Sequence, residues 1–202
     1  MPSTEPASLH PGNLGRWFEQ LCRIRHERLR EIVVSSGIRL GPAVLPRKGG
    51  VYAFWWTGAI DLLQERAARE IVLRGPNGRH VPIEFDNEWL GLATELPVPL
   101  YVGKTADDLT HRIGQHLRLS KTRILEPDGS TKKQEGPSSS CQLRAGIDHI
   151  FPDVKDTRTL MLDNVGLSYV LLHGDEHAAH RFYLEDLAIG LMHPPFNIDI
   201  ER

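Results

Sequence analysis

The stretch PLYVGKTADDLTHRIGQH, residues 99–116, passes from an apolar run to a helical pattern within a few residues. Its first part has the length and the apolar, aromatic composition of a strand that ends at a glycine. Asp107 or Asp108 can then cap a helix whose apolar residues recur at helical spacing. Arg112 and His116 lie four residues apart in that helix and project from one side of it. The stretch therefore predicts a strand, a glycine turn and a helix that presents a cation together with an imidazole.

The residues before this stretch predict a helix, a strand, a second helix and a second strand. Over residues 13–36, apolar side chains recur at helical spacing with arginines between them, and Asn13 fits as the N-cap. The run VYAFWW, residues 51–56, has the composition of a buried strand. Residues 57–72 predict a helix, the tetrapeptide GPNG a turn, and residues 80–85 a further strand.

The residues after the stretch add a loop and three regular elements. EPDGSTKKQEGPSSS, residues 126–140, has the composition of a flexible surface loop, in which Lys132 and Lys133 are candidate phosphate contacts. The remaining predicted elements are a short helix over 141–151, an apolar strand over 166–174 and a helix over 175–192. Strands and helices are mixed without the regular rhythm of parallel βαβ units, which indicates an α+β fold.

Length and composition are those of one globular domain. The chain has 202 residues, of which 40% are hydrophobic, and none of its apolar runs approaches the ~18 residues of a membrane span. We expect a flexible N-terminus over 1–12 and a single domain over 13–202, in which 13–48 form a helical extension. The first residues lack a signal-peptide pattern, so a cytoplasmic location is expected. Cys22 and Cys141 are too few for a disulfide framework.

The net charge of −2 conceals an uneven distribution along the chain. Residues 1–50 carry a net charge of +4 and residues 104–144 carry +3, whereas residues 51–103 and 145–202 carry −3 and −6. Affinity for nucleic acid depends on local contacts with phosphate and not on the total charge. The acidic total therefore does not exclude a polyanionic partner.

Six polar side chains that could form one site occur in order along the chain. Tyr52 lies in Gly-Val-Tyr at the start of the first aromatic strand, and Tyr101 lies in Tyr-Val-Gly of the second. They are followed by Arg112, His116, Glu185 and Asn197. This ordered set resembles the GIY-YIG nuclease superfamily, and the similarity spans residues 50–197. It implies a small antiparallel or mixed central sheet flanked by helices, with the segment 58–97 as an insertion between the two signature strands.

The resemblance implies roles for four of these side chains in the hydrolysis of a phosphodiester bond. Glu185 would be the sole protein ligand of a Mg²⁺ ion, for which Mn²⁺ can substitute. Arg112 would bind the scissile phosphate, because its planar charged fork matches the phosphate oxygens. Tyr52 would activate the attacking water, and His116 would relay the proton, because imidazole titrates near neutrality.

The same resemblance assigns binding and positioning roles to other residues. Tyr101 would orient the phosphate or the water, and Gly103 would let the backbone turn close to the site. Lys104 would assist electrostatically. Asn197 would fix the site through structural hydrogen bonds.

Two spacings depart from the smallest members of the superfamily. Tyr52 and Tyr101 are separated by 48 residues, and the step from Gly103 to Arg112 is one residue longer than is common. The stretch GVYAFWWTG and the Arg-x-x-x-His helix look most like the restriction-endonuclease branch. This likeness implies a sequence-specific enzyme that cuts double-stranded DNA as a homodimer. The alternatives are a non-catalytic nucleic-acid-binding or assembly module with this fold, and a nuclease for RNA or structured DNA.

Simpler interpretations of single residues remain open. Glu185 could form an ion pair with Arg181, which lies one turn back on the same predicted helix. The three histidines of HGDEHAAH, residues 173–180, could bind a transition metal. The two tryptophans of VYAFWW could stack on bases, although alternation along a strand places at least one of them in the core.

Overall fold

The structure, a computed structural model, describes residues 11–34, 37–38, 45–65, 69–74, 79–85, 97–117, 123–125, 131–133 and 141–197. Its helices are α1 (Pro11–Leu21), α2 (Ile60–Gln64), α3 (Leu109–His116), α4 (Gln142–Ile150), α5 (Thr157–Asn164) and α6 (Ala178–Met192), with single 3₁₀ turns at Leu29–Glu31 and Asp175–His177. Its strands are β1 (Val33–Val34), β2 (Gly37–Ile38), β3 (Gly50–Trp56), β4 (Arg69–Arg74), β5 (His80–Phe85), β6 (Val98–Thr105), β7 (Arg123–Leu125), β8 (Thr131–Lys133) and β9 (Val165–Leu171).

A three-stranded antiparallel sheet with the strand order β6-β3-β9 forms the centre of the fold. The middle strand, β3, pairs along its length with both neighbours. The other described strands form two-stranded pairs, β1 with β2, β4 with β5 and β7 with β8. The predicted α+β fold, with a small antiparallel sheet flanked by helices, is therefore confirmed.

Helices cover both faces of this sheet, and the side chains of β3 alternate between the two cores that these helices close. Tyr52 and Phe54 point into one core, which also contains apolar residues of α3, α4 and α5. Val51 and Ala53 point into the other core, which is closed by α1 and α6. Every residue of β3 is buried. Burial on both faces explains why its sequence is continuously apolar and aromatic.

Both tryptophans of β3 belong to the core. Trp55 Nε1 donates a hydrogen bond to Ser168 Oγ at 2.8 Å, and Trp56 Nε1 donates to the Ala59 carbonyl oxygen at 3.0 Å. Trp55 is 5% exposed and Trp56 is fully buried. Neither indole ring is therefore available to stack on a base.

The N-terminal helix is shorter than predicted, because α1 ends at Leu21. The residues that follow bond to the sheet instead. Arg25 N and His26 N both donate to the Leu167 carbonyl oxygen at 3.1 Å, and Leu167 N donates to the His26 carbonyl oxygen at 2.8 Å. Asn13 lies inside α1 and is not its N-cap. Tertiary hydrogen bonds satisfy backbone groups that a continuous helix would have paired internally, so they override the local spacing.

The segment between β3 and β6, which was predicted to be an insertion, also differs from the prediction. Only α2 is helical within the helix predicted over 57–72, and residues 69–74 form β4. β4 pairs with the correctly predicted β5, and Ile71 stands opposite Ile83. The β-branched and apolar residues of β4 fit a paired strand, and this pairing outweighs their helical spacing. The predicted GPNG turn lies outside the described residues.

Two other segments were assigned wrongly or missed. β8 falls within the predicted flexible loop over 126–140 and pairs with β7, while the rest of that loop lies outside the described residues. Helix α5 was not predicted, and Asp156 caps it by accepting a bond from Thr159 N at 3.0 Å. The strands that contain Tyr52 and Tyr101 and the helices α3, α4 and α6 occur as predicted. None of the helices described is long and apolar enough to span a membrane.

Candidate active site

Gly103 makes room for the side chain of Tyr52. The two residues stand opposite each other on β6 and β3, so they share one face of the sheet. A Cβ atom at Gly103 would lie 2.5 Å from the Tyr52 hydroxyl oxygen and 2.7 Å from its ring carbon Cζ. The glycine therefore allows the tyrosine to extend across the neighbouring strand. It does not turn the chain as predicted, because β6 continues through it to Thr105.

Helix α3 directs both of its predicted site residues at the Tyr52 hydroxyl. The side chain of Asp108 caps this helix. The apolar residues of the helix are buried in the core, and this burial sets the rotation of the helix about its axis. His116 Nε2 lies 2.7 Å from Tyr52 Oη, and Arg112 Nε donates to the same oxygen at 3.3 Å. The additional residue before Arg112 therefore leaves both side chains in contact with the tyrosine.

Tyr101 lies beside this group on β6. The register of β3 and β6 places its side chain on the same face as Tyr52. Its ring centroid is 6.4 Å from that of Tyr52 and 5.2 Å from that of His116. Burial raises the pKa of Tyr101 to about 12, while the Arg112 charge opposes the rise and the Glu185 charge adds to it.

Tyr52 and His116 are buried and uncharged at neutral pH. Tyr52 is fully buried and His116 is 2% exposed. Burial raises the pKa of Tyr52 well above its usual value, Tyr101 adds to the rise and Arg112 opposes it. Burial, together with the positive charge of Arg112, lowers the pKa of His116 to about 3. A neutral imidazole has one free lone pair and can accept the hydrogen of the phenol.

Lys104 and Glu185 form an ion pair beside this site. Lys104 stands opposite Val51, whose side chain points to the core closed by α1 and α6, and Glu185 lies on α6. The Lys104 ammonium contacts the Glu185 carboxylate, and the two side chains are 38% and 15% exposed. Burial is the main cause of the raised pKa of Tyr52 and Tyr101, but the Glu185 carboxylate contributes to both. The carboxylate is therefore close enough to act electrostatically on both phenols.

Arg181 has a structural role at the start of α6. Its Nη1 atom donates to the carbonyl oxygens of Leu172 at 2.5 Å and Gly174 at 2.8 Å. The buried guanidinium thus ties α6 to the end of β9. Glu185 forms an ion pair with Lys104, whereas the simpler interpretation of the sequence paired Glu185 with Arg181.

Asn197 joins the C-terminal segment to β6. Its Oδ1 atom accepts a hydrogen bond from Val102 N at 2.8 Å, and its Nδ2 atom donates to the Val102 carbonyl oxygen at 2.7 Å. Phe196 N donates to the Leu100 carbonyl oxygen at 3.2 Å. The side-chain amide thus pairs with one residue of β6 much as a neighbouring strand would. This geometry fits the structural role expected for Asn197.

One carboxylate in the site suits a divalent cation. Glu185 offers a hard oxygen donor, and water and phosphate can complete the shell of Mg²⁺. The ammonium of Lys104 already occupies a place beside this carboxylate, so the position accepts positive charge. The described parts of the chain contain no group of three or more His, Cys, Asp or Glu side chains arranged to hold a metal. The transition-metal site considered for the histidines of residues 173–180 is therefore absent from them.

The structure adds two contacts that the sequence analysis did not predict. Arg112 Nη1 donates to Gln115 Oε1 at 3.0 Å, and His116 Nδ1 lies 3.0 Å from Cys141 Sγ. The i,i+3 spacing on α3 could have indicated the glutamine. Nothing in the sequence links the cysteine to the site. The backbone of 132–133 lies in β8, but the side chains of both lysines lie outside the described part of the structure.

Comparisons of the chain with protein-family models, curated proteins and solved structures found no match. The function is therefore inferred from the residues of the site. Its six predicted residues are distributed over β3, β6, α3, α6 and the segment after α6. The structure brings five of them into contact or electrostatic range at Tyr52, and the sixth, Asn197, supports the strand that carries Tyr101.

Proposed function

We propose that the protein is a divalent-metal-dependent endonuclease that hydrolyses phosphodiester bonds of DNA. The observation that carries this proposal is the Tyr52 hydroxyl, which a guanidinium and an uncharged imidazole both contact. A carboxylate and an ammonium, those of Glu185 and Lys104, complete the group. Phosphodiester hydrolysis requires phosphate binding, transfer of a proton from water and stabilisation of the leaving group. The side chains present suit all three tasks.

Arg112 binds the scissile phosphate in this proposal. Its bond to Tyr52 is long, at 3.3 Å, and phosphate oxygens can offer shorter, charge-assisted bonds to the same guanidinium. The Tyr52 hydroxyl is fully buried, so we expect water to reach it when Arg112 moves onto the phosphate. Lys104 is more exposed and supplies a second positive charge.

Tyr52 and His116 carry the proton from the attacking water. A phenol with a raised pKa is a poor base by itself. As the water gives a proton to the Tyr52 oxygen, the phenol hydrogen passes to His116 Nε2 across 2.7 Å, so Tyr52 avoids a full negative charge. A phosphate beside Arg112 offsets the positive charge that contributes to the low pKa of His116, which favours this transfer.

Glu185 would hold the metal ion. When bound, Mg²⁺, or Mn²⁺ in its place, supplies positive charge that stabilises the leaving 3′ oxygen. Until the metal binds, the ion pair with Lys104 holds the Glu185 carboxylate in place. We expect Lys104 to release the carboxylate and turn to the phosphate when the metal is bound.

The proposed substrate is double-stranded DNA in the cytoplasm, cut in a sequence-specific, restriction-like manner. One chain supplies one set of the site residues, and two strands need two such sets. We therefore propose that a homodimer cuts the duplex. The resemblance of the ordered residues to the restriction branch of the GIY-YIG superfamily supports this choice.

Cleavage of plasmid DNA by purified protein tests the proposal. Glu185→Gln removes the metal-binding charge and keeps the shape of the side chain. We expect it to reduce Mg²⁺-dependent cleavage by more than ~100-fold, because the metal would lose its only protein ligand. Nicked and linear products are quantified by gel electrophoresis over a range of Mg²⁺ and Mn²⁺ concentrations.

Asp186→Asn is the matched control, because Asp186 is the next residue of α6 and its side chain is exposed. This variant loses the same charge and should cleave like the wild type. Equal activity of the Glu185 and Asp186 variants would exclude the metal role of Glu185. If the protein binds DNA or RNA but cleaves neither with Mg²⁺ or Mn²⁺, it is a non-catalytic module. If it cleaves only RNA or branched DNA, the proposed substrate class is wrong.

A further inference from the structure

We propose that Cys141 is a positioning residue that holds His116 in the tautomer able to receive the Tyr52 hydrogen. Cys141 Sγ lies 3.0 Å from His116 Nδ1, on the side of the ring opposite to the nitrogen that contacts Tyr52. The cysteine immediately precedes α4 and is partly buried. The effect of this contact on catalysis depends on the proposed nuclease function, whereas the tautomer itself does not.

The hydrogen bonds at Tyr52 determine which nitrogen of His116 carries the hydrogen. The Arg112 guanidinium has donors only, so the Tyr52 oxygen accepts from Arg112 Nε. The hydrogen of the phenol is then free to point at His116 Nε2, 2.7 Å away, and that nitrogen must carry the lone pair. A neutral imidazole with a lone pair on Nε2 has its hydrogen on Nδ1. The Nδ1 hydrogen is directed at Cys141 Sγ.

The thiol hydrogen of Cys141 has a separate acceptor. Cys141 Sγ lies 3.7 Å from the backbone carbonyl oxygen of His116 and donates to it. The sulfur can therefore accept the Nδ1 hydrogen while its own hydrogen is directed at the carbonyl oxygen. In the opposite arrangement the thiol would donate to Nδ1, and Nε2–H would point at a Tyr52 oxygen that already accepts from Arg112. The phenol hydrogen would then have to turn away from both groups.

A thiol is suited to this position because it fixes the tautomer without adding charge. A carboxylate next to Nδ1 would favour the imidazolium form, which cannot accept a hydrogen from Tyr52. The neutral thiol is a weak acceptor and leaves His116 uncharged. Its contacts with both the ring and the backbone carbonyl of the same histidine restrict rotation of the imidazole.

The tautomer of His116 can be measured by ¹⁵N NMR of the imidazole at pH 7, without any nuclease assay. We expect the Nδ1–H form to dominate in the wild type. Cys141→Ser keeps a hydroxyl that can accept the bond and should preserve this form, whereas Cys141→Ala should give a mixture of tautomers. His149, an exposed histidine of α4 whose Nδ1 contacts the Ala145 carbonyl oxygen, serves as the internal control. A dominant Nε2–H form in the wild type, or an unchanged spectrum in Cys141→Ala, would overturn the proposal.

Cleavage kinetics provide a second readout. Removal of a group that orients a metal ligand typically lowers activity by ~10–100-fold, and we expect a similar range for a group that orients a proton acceptor. We expect Cys141→Ala to lower kcat in that range with little change in KM, and Cys141→Ser to restore much of kcat. If Cys141→Ala shifts the His116 tautomer but leaves kcat unchanged, the tautomer does not affect catalysis and this part of the proposal is wrong. If the wild type cuts no substrate but its tautomer depends on Cys141, the nuclease proposal fails while the positioning role stands.

Discussion

The Tyr52 hydroxyl is the point at which distant parts of the sequence act on one atom. Arg112 and His116 approach it from α3, and the absence of a side chain at Gly103 lets it reach them. That these residues belong to one site could be predicted from the order of their residue types along the chain. The space at Gly103 could not, because it follows from the register of β3 against β6 and was misread as a turn.

Gly103→Ala should disrupt the site at its most closely packed point. The new methyl group would lie within 3 Å of atoms of both Tyr52 and Tyr101, which are too buried to move freely. Overpacking of this kind costs about 1–3 kcal/mol. We expect lower stability in urea unfolding and a loss of cleavage activity, because Tyr52 must shift away from His116.

Gly15→Ala is the matched control, because nothing lies within 4 Å of a Cβ atom at this position of α1. Alanine is the better helix former by about 1 kcal/mol, so this variant should be slightly more stable than the wild type. If Gly103→Ala were as stable and as active as the wild type, the close approach of Tyr52 to β6 would not be needed.

The correctly predicted elements are those in which the local sequence pattern and the tertiary contacts favour the same secondary structure. β3 is continuously apolar because helices cover both of its faces, and α3 has a cap and a buried apolar side. α1 and β4 were misjudged because partners far along the chain decide their structure. The backbone after α1 bonds to β9, and β4 pairs with β5. Local spacing carries no information about such partners.

Asn197→Ala should loosen the edge of β6. The substitution removes two hydrogen bonds to the backbone of Val102, and each such loss costs about 1 kcal/mol or more when the group left behind is buried. We expect faster hydrogen exchange at the Val102 amide and a lower kcat, because β6 carries Tyr101. Hydrogen exchange followed by NMR measures the first effect directly.

Hydrogen exchange at the β9 amides shows whether the effect of Asn197→Ala is confined to β6. Val170 pairs with Val51 on the far side of β3, so its exchange rate should be unaffected. Asn13→Ala provides a second control, because Asn13 bonds to Arg16 within the same helix. A uniform increase in exchange throughout the sheet would show global destabilisation and would contradict a local role for Asn197.

At the scale of the whole molecule, the sheet separates the two halves of the candidate site. Tyr52, His116 and Tyr101 belong to the side covered by α3 and α4, whereas Lys104 and Glu185 belong to the side covered by α6. The sequence predicted helices around a small sheet but gave no assignment of helices to faces. The two halves meet at β6, because β6 is the last strand on one side of the three-stranded sheet and carries both Tyr101 and Lys104.

Burial of an uncharged histidine in this core should make the stability of the protein depend on pH. The pKa of His116 is lowered to about 3, whereas an imidazole in the unfolded chain titrates near 6.5. Between these values the unfolded state binds the additional proton, so stability is highest above pH ~6.5 and falls as the pH decreases toward ~3. The expected slope from this residue is about 1.4 kcal/mol per pH unit.

His116→Gln isolates this contribution, because glutamine cannot bind the proton. The difference in unfolding free energy between wild type and variant, measured by urea unfolding from pH 7 to pH 4, should shrink as the pH falls. Asp156 and Asp163, whose pKa values are lowered mainly by hydrogen bonds from Thr159 and Arg30, also favour unfolding in acid, but they do so equally in both proteins. His149→Gln, at an exposed position of α4, should follow the wild type. A pH-independent difference for His116→Gln would show that this imidazole becomes protonated without unfolding, and the proton transfer proposed between Tyr52 and His116 would then lack its neutral acceptor.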